Sequence, residues 1–172
     1  MDIMEEINAQ NIKEKAHLKQ ADNKEFIKFI KSQKGKNFDA LVFQLADKYI
    51  AETDCTTCGN CCKNLHPALE EKDIQKLANH LQESTQNFKD KFLEEAPNKS
   101  CFYIKNSPCS FLEGNICSVY ENRPASCADY PHLHQPHFRF RIESIMENYV
   151  ICPIVFKTIE GLKKHKKPDR FW

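Results

Sequence analysis

A mainly α chain, a small irregular α+β domain with a helical N-terminal lead, is predicted by three observations. Apolar residues recur at helical spacing through much of the sequence. Signals for strands are few and short. Nine cysteines punctuate the second two-thirds of the 172 residues, four of them in the eight residues Cys55 to Cys62. Thiols packed at that density seldom lie together without metal or disulfide chemistry, so the fold is expected to be organised around a cysteine-ligated metal centre.

The first 54 residues hold no cysteine and read as helix. Ile3, Ile7, Ile12 and Leu18 form a weak stripe in a charged opening segment. A second helix starts at Asp22, carries Phe26, Ile27, Phe29 and Ile30, and ends near Gly35. Asn37 caps a third, with Phe38, Leu41, Val42, Leu45 and Tyr49 on one face as core packing. Beyond the cysteine cluster, Leu69 to Leu81 is the next helix, with Leu69, Ile74, Leu77, Ala78 and Leu81 inward. Ser84 opens another, bearing Phe88, Phe92 and Leu93, with Pro97 past its end.

Cys101 to Lys105 is rich in β-formers and predicts a short strand. Glu113-Gly114-Asn115 lies between Phe111-Leu112 and Ile116 and predicts a hairpin turn whose arms bring Cys109 and Cys117 near each other. Arg123-Pro124 starts one turn of helix ending about Cys127. Tyr130 to Phe140, with two prolines and three histidines, is expected to be loop. Helix resumes from Glu143 to Asn148 and from Pro153 to about Lys164. Three segments are therefore expected: a helical extension over 1–49 packed on the same unit, a cysteine-cluster domain over 50–160, and a basic tail over 161–172.

Charge is balanced, 25 basic residues against 24 acidic, for a formal net of +1. That argues against a nucleic-acid partner, whose phosphates call for a basic surface. The acidic opening Met1 to Glu6 lacks the charge and apolar run of a signal peptide. No stretch approaches the roughly 20 apolar residues of a membrane span. A cytoplasmic, reducing location without a membrane partner is the expectation, which disfavours a disulfide scaffold, and nine thiols are in any case an odd number.

Thiolates are soft ligands suited to zinc and to iron–sulfur clusters. C-x2-C turns around one metal in structural zinc sites. C-x2-C-x2-C with a distant Cys-Pro, here Cys55, Cys58, Cys61 and Cys152-Pro153, is similar in part to a bacterial ferredoxin run. Adjacent Cys61 and Cys62 diverge by about 100° in a helix or 180° in a strand. They are awkward on one mononuclear metal and more naturally serve two centres or one multinuclear centre. In a continuous helix Cys55, Cys58 and Cys62 share a face; in a loop around Gly59 the first three wrap one metal. Both arrangements stay open. Cys101, beside Phe102, is read as a small buried hydrophobe. His132, His134 and His137 are either metal-proximal or ordinary polar loop residues, and His66 belongs to a loop leading into a helix.

The ordered elements Cys-x2-Cys-Gly-x-Cys-Cys-Lys (55–63), Cys-x-Phe-Leu (109–112), Cys-x-Val-Tyr-x-x-Arg-Pro-x-x-Cys (117–127), Tyr-Pro (130–131) and Cys-Pro (152–153) resemble the YkgJ-type cysteine-cluster family. Its CxxCxxCC domain is described as zinc- or iron-chelating, and the pattern also occurs in the larger flagellin lysine N-methylases. The resemblance spans about residues 50 to 160. It implies Cys55, Cys58, Cys61, Cys62, Cys109, Cys117, Cys127 and Cys152 as metal ligands, enough for two four-cysteine sites. Cys101 has no counterpart in the pattern, and Ala128 stands where an arginine commonly follows.

Lys63 and Arg123 are the candidates to offset the negative charge of a thiolate centre, Arg123 being the better donor. The competing use of Arg123 is a surface salt bridge with Glu121 or Asp129. The implied cofactor is Zn²⁺, or iron as ion or iron–sulfur cluster. The implied function is metal chelation through eight cysteines. Three readings are open beyond that: an iron–sulfur oxidoreductase, a protein-lysine methylase-like enzyme acting on a protein substrate, and a structural zinc module that binds a protein partner.

Overall fold

The computed structural model describes residues 7–98 and 101–165. The acidic opening with Ile3, and the part of the basic tail beyond His165, lie outside the described residues. The chain is mainly α. In order it forms α1 (Ile12–Leu18), α2 (Gln20–Ser32), α3 (Asp39–Ala51), α4 (Cys55–Cys58), α5 (Asn60–Asn64), β1 (Ala68–Leu69), α6 (Glu71–His80), α7 (Thr85–Phe92) and β2 (Leu93–Glu95). There follow β3 (Phe102–Ile104), β4 (Leu112–Glu113), β5 (Ile116–Cys117), a 3-10 turn (Tyr120–Asn122), α8 (Ala125–Ala128), α9 (Phe138–Asn148) and α10 (Pro153–Lys164). Two compact units result, one from residues 1–54 with 131–172, the other from 55–130.

The first unit is helical. Pro153 opens α10 at a position where its missing N–H costs nothing. Ile154, Val155, Phe156, Ile159 and Leu162 are all buried, so α10 is the central helix, packed on α3, α9 and α1. Gly161 lets α3 approach, since a Cβ there would lie 3.3 Å from Leu45 Cδ1. Ile12, Phe26, Ile30, Val42, Phe138 and Ile142 complete this core. Within it Glu160 accepts from the Tyr149 hydroxyl at 2.8 Å and pairs with Lys163 at 2.7 Å and Lys19 at 2.9 Å. Burial alone would raise the Glu160 carboxyl, but these partners hold it below the ordinary carboxylate range.

Three local expectations are corrected here. Leu18 is 76% exposed, so the N-terminal stripe ends with buried Ile12 and Ala16. The second helix starts at Gln20, so Asp22 lies in its first turn and does not cap it, and it ends at Ser32, near Gly35. The helix expected from Glu143 starts at Phe138, because Asp39 of α3 accepts the His137 and Phe138 amides at 2.8 and 2.9 Å. That distant carboxylate satisfies two of the orphan N–H groups of the helix start, and no local residue announces it.

The second unit builds its core from Leu69, Ile74, Leu77, Phe88, Leu93, Ile104, Phe111 and Val119. Its antiparallel sheet has the order β1-β3-β2, with Leu69 opposite Phe102 and Leu93 opposite Ile104. Pairing with β3 keeps Ala68 and Leu69 extended, so the helix expected from Leu69 begins at Glu71. A reciprocal cap between Glu70 and Asp73 opens it. Ser84 caps α7 as expected, accepting from the Asn87 amide at 3.2 Å. The expected hairpin is β4–β5, with Leu112 opposite Cys117 and Gly114 at φ +64° in its two-residue turn.

Candidate metal centre

The cysteine cluster is neither a continuous helix nor a loop. It is two short helices, α4 and α5, broken at Gly59, whose φ of +59° is left-handed. Only glycine takes that conformation without penalty. It is required for a second reason: a Cβ at Gly59 would stand 2.9 Å from the carbonyl oxygen of Asn115. The turn of the β4–β5 hairpin thus sits directly on the helix break. Asn115 also accepts through Oδ1 from Lys63 Nζ at the end of α5. Sequence reasoning did not single out Asn115; the hairpin signal at Gly114 placed it in a turn without revealing what the turn covers.

A second strap holds α5. The Cys109 amide donates to the Cys62 carbonyl at 2.8 Å, and Ser107 Oγ donates to the Lys63 carbonyl at 2.9 Å. Phe111, two residues on, anchors this strap in the core between Phe88 and Phe92, at ring separations of 6.1 and 4.9 Å. Burying such a ring contributes about 1.5–3 kcal/mol. The hairpin then carries the chain to Cys117.

Cys127 sits on α8, and buried Asp73 positions that helix. One carboxylate oxygen of Asp73 accepts the Glu70 amide at 3.2 Å, capping α6, while the other accepts the Ala125 amide at 3.0 Å. Ser126 Oγ donates to the Ala68 carbonyl at 2.6 Å, tying α8 to the edge of the sheet. Lys76 Nζ donates to the Arg123 carbonyl at 2.9 Å. Asp73 is another residue the sequence did not flag, since a helix-start aspartate has an ordinary capping use.

Cys55, Cys58, Cys61, Cys62, Cys109, Cys117 and Cys127 lie in the second unit, as does Cys101, while Cys152 precedes α10 in the first. None of the nine cysteines is paired in a disulfide. Contact with Cys61, followed by burial, pushes the Cys62 thiol far up. Burial raises Cys109 and Cys117, and each is raised further by Cys62. Cys127 is pushed up to about 12 by burial and by Cys62, Cys109 and Cys117. These four thiols lie close enough to oppose one another's ionisation, as ligands gathered for a cation would.

Two cations act the other way. Lys63 favours the thiolate of Cys62, and Arg123 favours that of Cys117. Arg123 lays its guanidinium over the Tyr120 ring at 3.9 Å and donates to the Tyr120 carbonyl at 3.2 Å. Cys101 is engaged differently, in a side-chain hydrogen bond with Tyr103 that raises the phenol. His66 Nδ1 lies 2.8 Å from the Ile104 carbonyl. The loop histidines belong to the first unit: His134 pairs with Asp47 at 2.7 Å, the His132 carbonyl accepts from Arg141, and His137 turns the chain into α9.

Among the described residues no three His, Cys, Asp or Glu side chains stand at metal-holding geometry. The donor chemistry fits zinc or iron, because it offers reduced, half-buried thiols with adjacent cations. Residues 54–153 match the family model CxxCxxCC, described as "Putative zinc- or iron-chelating domain". That is more than half of the chain, and the chain belongs to this family. Curated proteins and solved structures gave no match. Among the described residues no helix is long and apolar enough to cross a membrane.

Proposed function

We propose that this chain is a thiolate metal-binding protein that chelates zinc or iron through Cys55, Cys58, Cys61, Cys62, Cys109, Cys117, Cys127 and Cys152. The observation that carries the reading is that Cys61, Cys62, Cys109, Cys117 and Cys127 lie close enough to act on one another, with Cys109 strapped to Cys62 through a 2.8 Å backbone hydrogen bond. Cys152 enters through its place in the family pattern. Cys101 stays outside the ligand set, consistent with its Tyr103 partner.

Thiols that resist ionisation alone give up their protons readily to a metal, because the cation removes their mutual repulsion. Lys63 and Arg123 offset the charge that remains once four thiolates surround one divalent ion. Bound zinc would supply a closed structural site; bound iron would add one-electron chemistry. Nine cysteines outside any disulfide suit a reducing compartment.

The test is anaerobic purification followed by metal analysis, acid-labile sulfide assay and a visible absorption spectrum. Stoichiometric zinc in colourless protein, or iron in coloured protein, supports chelation and tells the two metals apart. Metal-free protein that folds normally, with every thiol titratable, would defeat the proposal.

A further inference from the structure

Adjacent residues on a helix leave the axis about 100° apart, which on sequence grounds suits Cys61 and Cys62 to two centres or to one multinuclear centre. The structure brings the pair close together. Both residues lie in α5, yet their sulfurs approach to 3.8 Å. A disulfide would need about 2.05 Å, so these are two separate thiols facing one another. Four thiolates at the usual Zn–S distance of about 2.3 Å define a tetrahedron whose edge is about 3.8 Å. The pair already spans such an edge.

We propose that Cys61 and Cys62 bind one and the same metal ion, as two corners of a single tetrahedron. This rests on the reading that the domain chelates metal through its cysteines, and it goes on to assign how they are shared out. The Gly59 break makes the assignment intelligible. Cys55 and Cys58 sit three apart on α4, on one helical face, while the adjacent pair sits on its own short helix beyond the break. The strap at Cys109 donates its amide to the carbonyl of Cys62 at 2.8 Å, which puts Cys109 beside the pair as a further corner.

Two S–H protons pass to solvent as the two S–metal bonds form, with no change of oxidation state. The pairing also restricts the centre. Four cysteines on a two-iron cluster place two on each iron, whereas on a four-iron cluster each iron takes one. The pair therefore suits a mononuclear ion or one iron of a two-iron cluster, and not a four-iron cluster.

The test uses the full reduced chain, titrated anaerobically with Co²⁺ and then Zn²⁺, in wild type, Cys61→Ser, Cys62→Ser and the double variant, with Cys101→Ser as control. Metal per chain, sulfur-to-cobalt charge-transfer absorbance and the sulfur number from X-ray absorption are read. Each single variant is expected to lose one sulfur at the same ion. The double variant is expected to lose two sulfurs at that ion or release it, leaving any other ion with its full sulfur shell. Should a variant fail to fold, alkylation of the wild type followed by mass spectrometry replaces it, and one equivalent of Zn²⁺ should protect both cysteines in parallel. A single variant with unchanged sulfur number, a double variant that damages two ions, protection of the two thiols by different equivalents, or both cysteines on a four-iron cluster would overturn the assignment. Absence of any sulfur-bound metal in the wild type would instead remove the functional reading on which it rests.

Discussion

At Cys127, burial and three neighbouring thiols push the ionisation up to about 12 from an ordinary 9.0. A group with a raised folded-state pKa binds its proton more tightly when folded. Its contribution to the metal-free fold is therefore complete below about 9 and is lost as pH rises toward about 12. Cys62, Cys109 and Cys117 shift in the same direction. Denaturant titrations of the metal-free protein should show stability falling above pH 9, with no decline on this account between pH 6 and 8. Metal affinity runs the opposite way, because each thiol must release a proton to bind, and it should climb from pH 6 to 8.

The ligand partition makes a second prediction at this scale. Cys58→Ser should lower metal affinity at least about tenfold, since loss of even an outer partner of a ligand costs that much. It should also lower folding yield. Cys101→Ser should leave metal content unchanged. Equal losses in both, measured by metal analysis of purified protein, would show that the partition is wrong.

Elements carry the clamp that shapes the cluster. Gly59→Ala places a Cβ against the Asn115 carbonyl and in a left-handed backbone that costs about 1–2 kcal/mol by itself. Gly35→Ala meets the same conformational penalty at φ +78° but finds no neighbour within 4 Å. Both should lower thermal stability, and only Gly59→Ala should also reduce bound metal. Asp73→Ala removes the acceptor of two backbone amides, at the start of α6 and of α8. Leaving buried donors unpaired costs about 1–3 kcal/mol. Chemical denaturation should show that loss, together with weakened metal binding through the displaced Cys127.

Whether an element was legible depended on where its boundary is decided. Ser84 and the Gly114 turn act through their own neighbours, and both are found where local chemistry puts them. The starts of α6 and α9 are set from far along the chain, by strand pairing with Phe102 and by the carboxylate of Asp39. The same division holds for the site. The cysteine run at 55–62 stood out by its spacing, and the resemblance to the family implied the later candidate ligands. Asn115 and Asp73 did not stand out, because a turn asparagine and a capping aspartate look ordinary until the surfaces they hold are known.

At the scale of the whole molecule, the chain forms two units, and only one of them carries the clustered thiols. The first has a continuous helical core around α10. The second has short helices, two- and three-residue strands and a modest core. Metal should therefore support the second unit more than the first. Adding a strong chelator should raise amide exchange across 55–130, above all in α4, α5 and α8, with a smaller change in α1 to α3. Uniform change across both units, read by hydrogen-exchange mass spectrometry, would contradict this.

The sequence by itself determined the helical character of this protein, the strand β3, the β4–β5 hairpin and the family to which it belongs. Those features depend on periodicity, caps and spacing, all of which are local. Tertiary structure decided that the early helices and the last two form one unit around α10, and that a hairpin turn closes on Gly59. It also decided that two neighbouring sulfurs, which helix geometry alone sends apart, face each other at 3.8 Å. Side-chain rotation and packing between distant segments fix such distances, and neither is written in the order of residues.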